Sequence, residues 1–197
     1  MKIILQISFL FLLITQICFS QWIWQNPLPT GCGLYNVKFF SSTNGWAVGY
    51  YGAIIKTTDG GATWTQQASG VISSHLRDVS FTDANTGTIV GSEGAIFRTT
   101  NGGTTWTQQS SGMVGIINGV FFIDENTGWI VGSVGNKIMK TTDGGTTWTE
   151  QYQSGGNAVQ FIDANKGWVA VGDGTILRTT DGGTTWVEVY GSGGGDL

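Results

Sequence analysis

The sequence predicts an all-β protein, a β-propeller built of four-stranded antiparallel blades. The chain of 197 residues contains 32 Gly and only 2 Pro, with 11% charged and 12% aromatic residues. This composition disfavours helices and disorder, and it favours short strands joined by glycine turns. A sequence unit of about 42 residues also recurs along the chain, and repeats of this length made of short strands are typical of propeller blades.

Two blocks define each repeat. The first copy of the more regular block runs from Thr57 to Trp64 and reads Thr-Thr-Asp-Gly-Gly-Ala-Thr-Trp. An upstream block carries Trp46 before Val48-Gly49, but its second copy has Thr88 at the tryptophan position. The predicted blades lie within residues 34–190 and are 34–70, 76–112, 117–154 and 156–190.

The first repeat divides into four strands. Apolar or β-prone runs cover Val37–Phe40, Trp46–Val48, Ile54–Thr57 and Trp64–Gln67, and polar or glycine-rich turns separate them. Runs of this length match the strands of a small twisted sheet. Because one blade has two apolar faces and cannot bury both alone, each blade is expected to stack on its neighbours.

These blocks resemble the Asp-box, or BNR repeat, of sialidases and related propellers. The fuller unit, from Phe161 to Gly172 and from Ile176 to Trp186, looks more like the repeats of the photosynthesis system II assembly factor family, which also occur in secreted bacterial proteins of unknown role. The resemblance covers Trp22 to Val189 and implies the propeller fold. It does not identify an activity, because the same blades carry enzymes, assembly factors and uncharacterised exported proteins.

The Asp-box residues are expected to build turns. The aspartate can accept N–H groups across the turn, the glycines supply positive φ values, and the tryptophan covers the turn. Asn101 replaces the aspartate in the second copy, which argues against a need for the carboxylate. The residues given this structural role are Thr57, Asp59, Gly61, Trp64, Thr99, Asn101, Gly103, Trp106, Thr141, Asp143, Gly145, Trp148, Thr179, Asp181, Gly183 and Trp186.

Three Asp-x-Asn-x-Gly or related segments resemble the opening of a calcium-binding EF-hand loop. Such a loop needs a bidentate Glu at its twelfth position, where this chain has Gly94, Gly135 and Gly174. We therefore interpret the segments as turns and predict no metal and no cofactor. The segments are Asp83 to Gly87, Asp124 to Gly128 and Asp163 to Gly167.

An enzyme is not expected, although a sialidase-like or other glycoside hydrolase is the alternative. Sialidases that share the Asp-box hold the substrate carboxylate with three arginines, but Arg98 and Arg178 lie in a repeat position that Lys56 and Lys140 fill elsewhere. A carboxylate-pair glycosidase needs two acids across a cleft, and no acids stand out from the turn-forming ones. The spacing of the single His and of Cys32 matches neither a metal site nor a catalytic triad.

Binding or assembly is the function that the repeats favour. Sequence differences between copies gather in the links from one blade to the next, and such links lie on a propeller face where loops commonly make contacts. The candidate partner-binding residues are His75, Arg77, Met113 and Asn118. The partner is expected to be a protein or a glycan. Nucleic acid is not expected, because an acidic chain without a basic patch cannot hold phosphates.

The first twenty residues predict a secretory signal peptide. Lys2 precedes the largely apolar run Ile3–Ile14, and a small-residue cleavage site lies before Gln21. The alternative is an uncleaved anchor, but the run is shorter than the roughly 20 residues that cross a bilayer. Cleavage would leave 8 basic against 13 acidic residues, a charge of −5. We expect a secreted protein, extracellular, periplasmic or on the cell surface, where a module of a larger adhesin is a further alternative.

The count of strands predicts an open arc. Residues 21–33 form an N-terminal strand and linker, in which Trp22–Gln25 looks like an extra fourth strand, and the Gly-rich tail 191–197 reads like a link to another blade. Four blades are fewer than the roughly seven of a ring in the resembled family. We expect an arc that is part of a larger ring or is completed by self-association through exposed blade edges. The alternative is a closed four-bladed ring.

Metal removal tests the interpretation of the acidic segments as turns. We expect EDTA to leave the melting temperature of the protein unchanged, because no segment has the full ligand set of a calcium site. Thermal unfolding with EDTA and with excess calcium measures this. A drop in melting temperature that calcium reverses would show that a metal stabilises the fold.

Overall fold

The computed structural model describes residues 31–68, 70, 74–133 and 137–191. Within these residues the chain forms four separate sheets of four antiparallel strands. The predicted signal peptide, the N-terminal strand Trp22–Gln25, the link residues Val71–Ser73 and the end of the Gly-rich tail, residues 192–197, lie outside the described residues.

Each sheet is one blade, and its strands follow one another in chain order. The first blade contains β1 (Leu34–Phe39), β2 (Gly45–Gly49), β3 (Ile54–Thr57) and β4 (Thr65–Gln66). The second contains β5 (Leu76–Phe81), β6 (Gly87–Gly91), β7 (Ile96–Thr99) and β8 (Thr107–Gln109). The third contains β9 (Ile117–Phe122), β10 (Gly128–Gly132), β11 (Lys137–Thr141) and β12 (Thr149–Tyr152). The fourth contains β13 (Ala158–Phe161), β14 (Gly167–Ala170), β15 (Ile176–Thr179) and β16 (Val187–Tyr190).

The predicted all-β architecture of four-stranded antiparallel blades is confirmed. In the first blade, β1 begins at Leu34, three residues before the predicted Val37, because Leu34 already pairs with Gly49 across the sheet. A bulge lies between Leu34 and Asn36 in this pairing. The same irregularity occurs between Leu76 and Asp78 of the second blade, so it belongs to the repeat.

The antiparallel order gives each blade two different ends. The turns between the first and second strands and the Asp-box turns between the third and fourth strands lie at one end, which we call the Asp-box face. The turns between the second and third strands and the links between blades lie at the other end, which we call the link face. The Asp-box turns, which the repeats share, therefore lie at the opposite end of the blades from the links, which vary between repeats.

The core consists of layers between adjacent blades. The layer between the first and second blades contains Trp46, Val48, Ile54, Leu76, Val79, Ile89, Ala95 and Phe97. The next contains Val90, Ile96, Ile117, Val120, Phe122, Ile130 and Met139, and the last contains Trp129, Val131, Ile138, Val159, Phe161, Val169, Leu177 and Trp186. Each layer takes side chains from two blades, as expected if a blade cannot bury its faces alone.

A stacked aromatic pair forms the centre of two of these layers. Trp46 stacks on Phe81 with ring centroids 3.6 Å apart, and Trp129 stacks on Phe161 at 3.5 Å. The tryptophan comes from the second strand of one blade and the phenylalanine from the first strand of the next. Both tryptophans are fully buried. The stacked rings bury a large apolar area at the centre of each layer.

The remaining layer uses a different pair. Thr88 replaces the tryptophan, and the guanidinium of Arg98 lies 5.0 Å from the ring centroid of Phe122. Arg98 Nη1 donates to the Thr88 hydroxyl at 2.9 Å. The planar guanidinium thus occupies the surface of the phenylalanine that an indole covers elsewhere, which is an arrangement that arginine favours.

Basic side chains also connect each of the first three blades to a turn on the Asp-box face of the next blade. Lys56 Nζ donates to the carbonyl of Gly102 at 3.0 Å, and Lys140 Nζ donates to that of Gly182 at 2.9 Å. Arg98 donates to the carbonyl of Glu125. These residues occupy the repeat position just before the Thr-Thr pair, so the periodic lysines and arginine hold neighbouring blades together.

One buried carboxylate joins three blades. Asp78 Oδ1 accepts from Asn36 Nδ2 of the first blade and from the N–H of Val79, both at 2.8 Å. Asp78 Oδ2 accepts from the N–H of Val120 in the third blade at 2.9 Å. Burial raises the pKa of Asp78, against the effect of its backbone donors. Its carboxylate accepts hydrogen bonds from two buried backbone N–H groups, which need an acceptor inside the protein.

The blades form an open arc, as predicted. The first strands contact one another in chain order, from β1 to β5, β5 to β9 and β9 to β13. Phe39 is 47% exposed, whereas its counterpart Phe161 is 2% exposed because a preceding blade covers it. At the other end of the arc, Ile176 is 37% exposed while its counterpart Ile138 is fully buried. The closed four-bladed ring is therefore wrong.

We expect Asp78→Ala to lower the free energy of unfolding by about 1–3 kcal/mol, because it leaves two buried N–H groups without an acceptor. Urea denaturation followed by tryptophan fluorescence measures this. Glu188→Ala is the control, since it removes an exposed carboxylate from β16 and should change stability by less than about 0.5 kcal/mol. Equal stability of the two variants would contradict the role assigned to Asp78.

Candidate functional site

Aromatic side chains gather on the link face where the first two blades meet. Tyr50 lies 4.6 Å from Tyr35 and 4.8 Å from His75, measured between ring centroids. Tyr51 lies 5.2 Å from His75, and the Arg77 guanidinium lies 4.7 Å from the ring centroid of Tyr35. We call these five residues the aromatic cluster. It brings together two of the four predicted partner-binding residues, His75 and Arg77.

The cluster is open to solvent. Tyr51 is 66% exposed, and Tyr35 and Tyr50 are also exposed. His75 and Arg77 are half-buried beneath them. Tyrosine side chains that are exposed together offer a large contact area at low conformational cost, which is why they are common in binding surfaces. The arrangement suits recognition of a partner with apolar groups.

The turn Tyr50–Gly52 presents the cluster in a defined conformation. Tyr51 has φ 54°, a left-handed value that is uncommon outside glycine. Glu93 has φ 61° at the same position of the second blade, so the first two blades share this conformation. The side chain at this position therefore differs between these two blades while the backbone conformation stays the same.

Hydrogen bonds and ring contacts hold the cluster together. His75 Nδ1 accepts from the backbone N–H of Tyr51 at 3.4 Å, which links the turn of the first blade to the start of the second. A side-chain hydrogen bond with Tyr50 raises the pKa of Tyr35. Arg77 contributes a positive charge beside the tyrosine ring, a cation–π contact.

The other two predicted partner-binding residues make contacts within the protein. Met113 is half-buried and packs against the apolar layer between the second and third blades. Asn118 Nδ2 donates to the carbonyl of Gly156 at 3.1 Å, so it joins the third blade to the link before the fourth. The structure does not bring either residue into the aromatic cluster.

The Asp-box turns share one hydrogen-bond pattern. In the third blade, Asp143 Oδ1 accepts from the N–H of Thr147 and from the hydroxyl of Thr141, both at 2.8 Å, and Oδ2 accepts from the Thr147 hydroxyl at 2.6 Å. Thr141 Oγ1 in turn accepts from the N–H of Gly145 at 2.8 Å. Gly144 and Gly145 have φ values of 70° and 86°, which only glycine adopts without strain.

Asn101 makes the same contacts without a charge. Its Oδ1 accepts from the Thr105 N–H and from the Thr99 hydroxyl at 2.9 Å. Its Nδ2 takes the place of the second carboxylate oxygen and donates to the Thr105 hydroxyl at 2.9 Å. The hydroxyl group can donate or accept, which explains why the turn works with either side chain.

The three EF-hand-like segments are also turns. Asp124 Oδ1 accepts from the backbone N–H groups of Asn126 and Thr127 at 2.8 and 2.6 Å. Asp83 and Asp163 make the equivalent pairs of bonds. Across the described residues, no group of three or more His, Cys, Asp or Glu side chains could hold a metal ion.

One cavity on the Asp-box face contains two carboxylates and an arginine. It has a volume of about 390 Å³ and includes Glu125, Asp143 and Arg98 in its lining. Hydrogen bonds from Thr147 and Thr141 lower the pKa of Asp143 to about 2. A glycosidase acid needs a raised pKa, so Asp143 is unsuited to donate a proton in this cavity.

The comparisons with known proteins agree with this architecture. Residues 112–192 match the family model "Photosynthesis system II assembly factor YCF48". The solved structure "YCF48 bound to D1 peptide" is 18% identical with a TM-score of 0.56, and the match covers 82% of this chain and 83% of that one. The protein is a BNR-repeat propeller that resembles YCF48. No curated protein matches its sequence.

Other solved structures share the YCF48-like fold. YCF48 from Cyanidioschyzon merolae is 19% identical with a TM-score of 0.55, and the match covers 82% of this chain and 86% of that one. The GH74 enzyme of Niastella koreensis is 20% identical with a TM-score of 0.64, but the match covers 82% of this chain and only 30% of that one. At these identities the likeness shows the fold alone.

The described parts of this YCF48-like propeller contain no helix long and apolar enough to pass through a bilayer.

Sequence reasoning did not find the tyrosines of the aromatic cluster. Tyr51, which follows Tyr50 in the same turn, lies 24 residues before His75, and only the packing of two blades brings the three residues together. The available signal was the pair of adjacent tyrosines at a position where the second blade has Ser92 and Glu93.

We expect Asp143→Asn to lower the melting temperature by less than about half as much as Asp143→Ala. Asparagine can keep all three hydrogen bonds of the turn, as Asn101 does, whereas alanine keeps none. Thermal unfolding at neutral pH measures both variants. A loss in Asp143→Asn equal to that in Asp143→Ala would show that the charge is required.

The difference in stability between the wild-type protein and Asp143→Asn should depend on pH, with a sign that follows from the pKa of Asp143. The pKa of Asp143 is lowered from 3.8 to about 2, so the carboxylate stabilises the fold above pH 3.8 and this contribution is lost as the pH falls through 2. The difference between wild type and Asp143→Asn should therefore shrink as the pH falls from about 5 to 2. Asp59 and Asp181 titrate in both proteins and cancel from this difference.

Proposed function

We propose that this protein is a secreted, non-catalytic scaffold that binds an extended segment of a protein partner on its link face. The observation that carries the proposal is the aromatic cluster, which exposes three tyrosines around a histidine and an arginine. Exposed aromatic groups that pack on one another are pre-organised for contact, so little conformational entropy is lost on binding.

The likeness to YCF48 supports a peptide-like partner. That protein has a solved structure in which it is bound to a D1 peptide. The cluster here combines apolar ring faces with the hydrogen-bonding hydroxyls of Tyr35, Tyr50 and Tyr51, and with the charge of Arg77. This chemistry suits a segment with apolar side chains and exposed backbone groups.

The positions of the acidic residues support a non-catalytic role. Asp59, Asp143 and Asp181 each hold an Asp-box turn, and their pKa values of about 2 keep them ionised. Asp83, Asp124 and Asp163 cap backbone turns. These carboxylates are committed to the fold, although GH74 enzymes share it.

The N-terminal sequence supports secretion. Met1–Ser20 combines a basic residue, an apolar run and a small-residue cleavage site. A scaffold exported in this way would meet partners outside the cytoplasm.

Selection of peptides from a random phage library tests the binding site. We expect peptides selected on the wild-type protein to bind Tyr51→Asn at least about tenfold more weakly, since an exposed aromatic at the centre of a binding surface often contributes more than 1.4 kcal/mol. Asparagine tolerates the positive φ at this position, so the turn is kept. Glu93→Asn is the matched control, because Glu93 is exposed at the same position of the second blade.

The proposal fails if no peptide is enriched, or if the two variants bind the selected peptides equally well. Release of sugar from a panel of glycosides, lost in a variant of Glu125, would overturn the non-catalytic assignment and favour a carbohydrate-active enzyme.

A further inference from the structure

Within the described residues, no blade packs on the outer face of the first blade. On the first blade, Val37 and Phe39 are 52% and 47% exposed, whereas their counterparts Val120 and Phe122 in the third blade are 2% and 5% exposed. Leu34 is also exposed, although its counterparts in the second and third blades are fully buried. This surface, which we call the Phe39 face, is the half-interface that a preceding blade covers elsewhere in the molecule.

At the opposite end of the arc, no described blade packs on the outer face of the fourth blade. Trp168 is only half-buried, whereas Trp46 and Trp129 at the same position are fully buried. Ile176 and Arg178 of β15 are exposed beside it. We call this surface the Trp168 face. It presents the residue types that the first and third blades use to bind the blade after them.

The Trp168 face and the Phe39 face have the residues that form the contacts between neighbouring blades inside the arc. Inside the arc, a tryptophan on the second strand stacks on the phenylalanine of the next blade at 3.5–3.6 Å. The lysine beside that tryptophan donates to the carbonyl of an Asp-box glycine. Among the described residues no blade packs against Trp168 and Arg178, and Phe39 and Gly60 occupy the acceptor positions on the first blade.

Phe39 already has the orientation of a buried interface residue. It packs edge-on against Trp64 with centroids 6.0 Å apart and planes at 81°. The internal pairs Phe122–Trp148 and Phe161–Trp186 have distances of 6.1 and 6.0 Å and angles of 85° and 88°. The Phe39 face therefore needs little rearrangement to accept a tryptophan, which favours binding.

We propose that a second copy of this chain covers both faces by head-to-tail docking. The Trp168 face of each copy binds the Phe39 face of the other, so Trp168 stacks on the partner subunit's Phe39 and Arg178 reaches the carbonyl of the partner subunit's Gly60. Two arcs of four blades then close a ring of eight blades, which lies within the range of 4–8 blades known for propellers. A head-to-tail contact that closes gives a discrete assembly.

A second copy satisfies both faces at once, whereas another occupant would have to match each face separately. The docking continues an interface that the chain builds three times within itself. Two of these interfaces contain the tryptophan–phenylalanine pair, and in each of the three a basic side chain donates to a carbonyl of the next blade. Large apolar surfaces left exposed are also an association hazard. The proposal is independent of the link face and of its partner.

Sedimentation velocity and light scattering on the purified protein test the proposal. We expect wild type to have the mass of two chains. Trp168→Glu and Phe39→Glu should each be monomeric, because each charge disrupts both contacts of the ring. Both residues are accessible at the ends of the arc, so the fold should persist, which circular dichroism checks. Val114→Glu is the control, since Val114 is 78% exposed in the link between the second and third blades and should leave the dimer intact.

Mixing the two monomeric variants decides the geometry. Trp168→Glu keeps an intact Phe39 face and Phe39→Glu keeps an intact Trp168 face, so an equimolar mixture should form a heterodimer through one contact, more weakly than wild type. A monomeric wild type, a dimer that survives either substitution, or a mixture that stays monomeric would overturn the proposal. Open polymers of wild type would overturn ring closure.

Discussion

The stacking of one blade on the next is the constraint on which the rest of this structure depends. A four-stranded sheet with two apolar faces is not stable in water by itself, and the buried layers consist of side chains from two neighbouring blades. In two layers the central contact is a tryptophan stacked on a phenylalanine. The repeat length, the position of the tryptophan and the small residues in the turns all serve this contact.

The layer without a tryptophan shows how the constraint tolerates change. Thr88 occupies the position of the tryptophan in the other repeats. The planar guanidinium of Arg98 lies over Phe122 instead, and it donates a hydrogen bond to the Thr88 hydroxyl. In the same part of the molecule, Asp78 and Ser80 accept the N–H groups of Val120 and Phe122 in the third blade. Polar contacts thus accompany the layer in which aromatic stacking is absent, so the repeat unit is not packed identically each time.

The sequence was enough to predict the blades because the same succession of four strands and their turns recurs in four repeats. It also indicated which turns need glycine, since the Asp-box glycines have φ values near 70° and 90°. It could not predict Asp78, whose partners lie 42 residues away on either side. Nor could it predict the aromatic cluster, because Tyr50 meets His75 only when two blades pack. The cue for Asp78 was an acidic residue within the strand Leu76–Phe81, away from any turn.

The two ends of the blades differ in how freely their side chains can vary. On the Asp-box face, the carbonyls of Gly102, Gly144 and Gly182 accept hydrogen bonds from side chains of the preceding blade. A change in one of these turns therefore disturbs the contact between two blades. On the link face, the turn keeps its positive φ with either tyrosine or glutamate, so the side chain can change while the blade stays the same. Specific recognition can arise there without loss of the interfaces that hold the arc together.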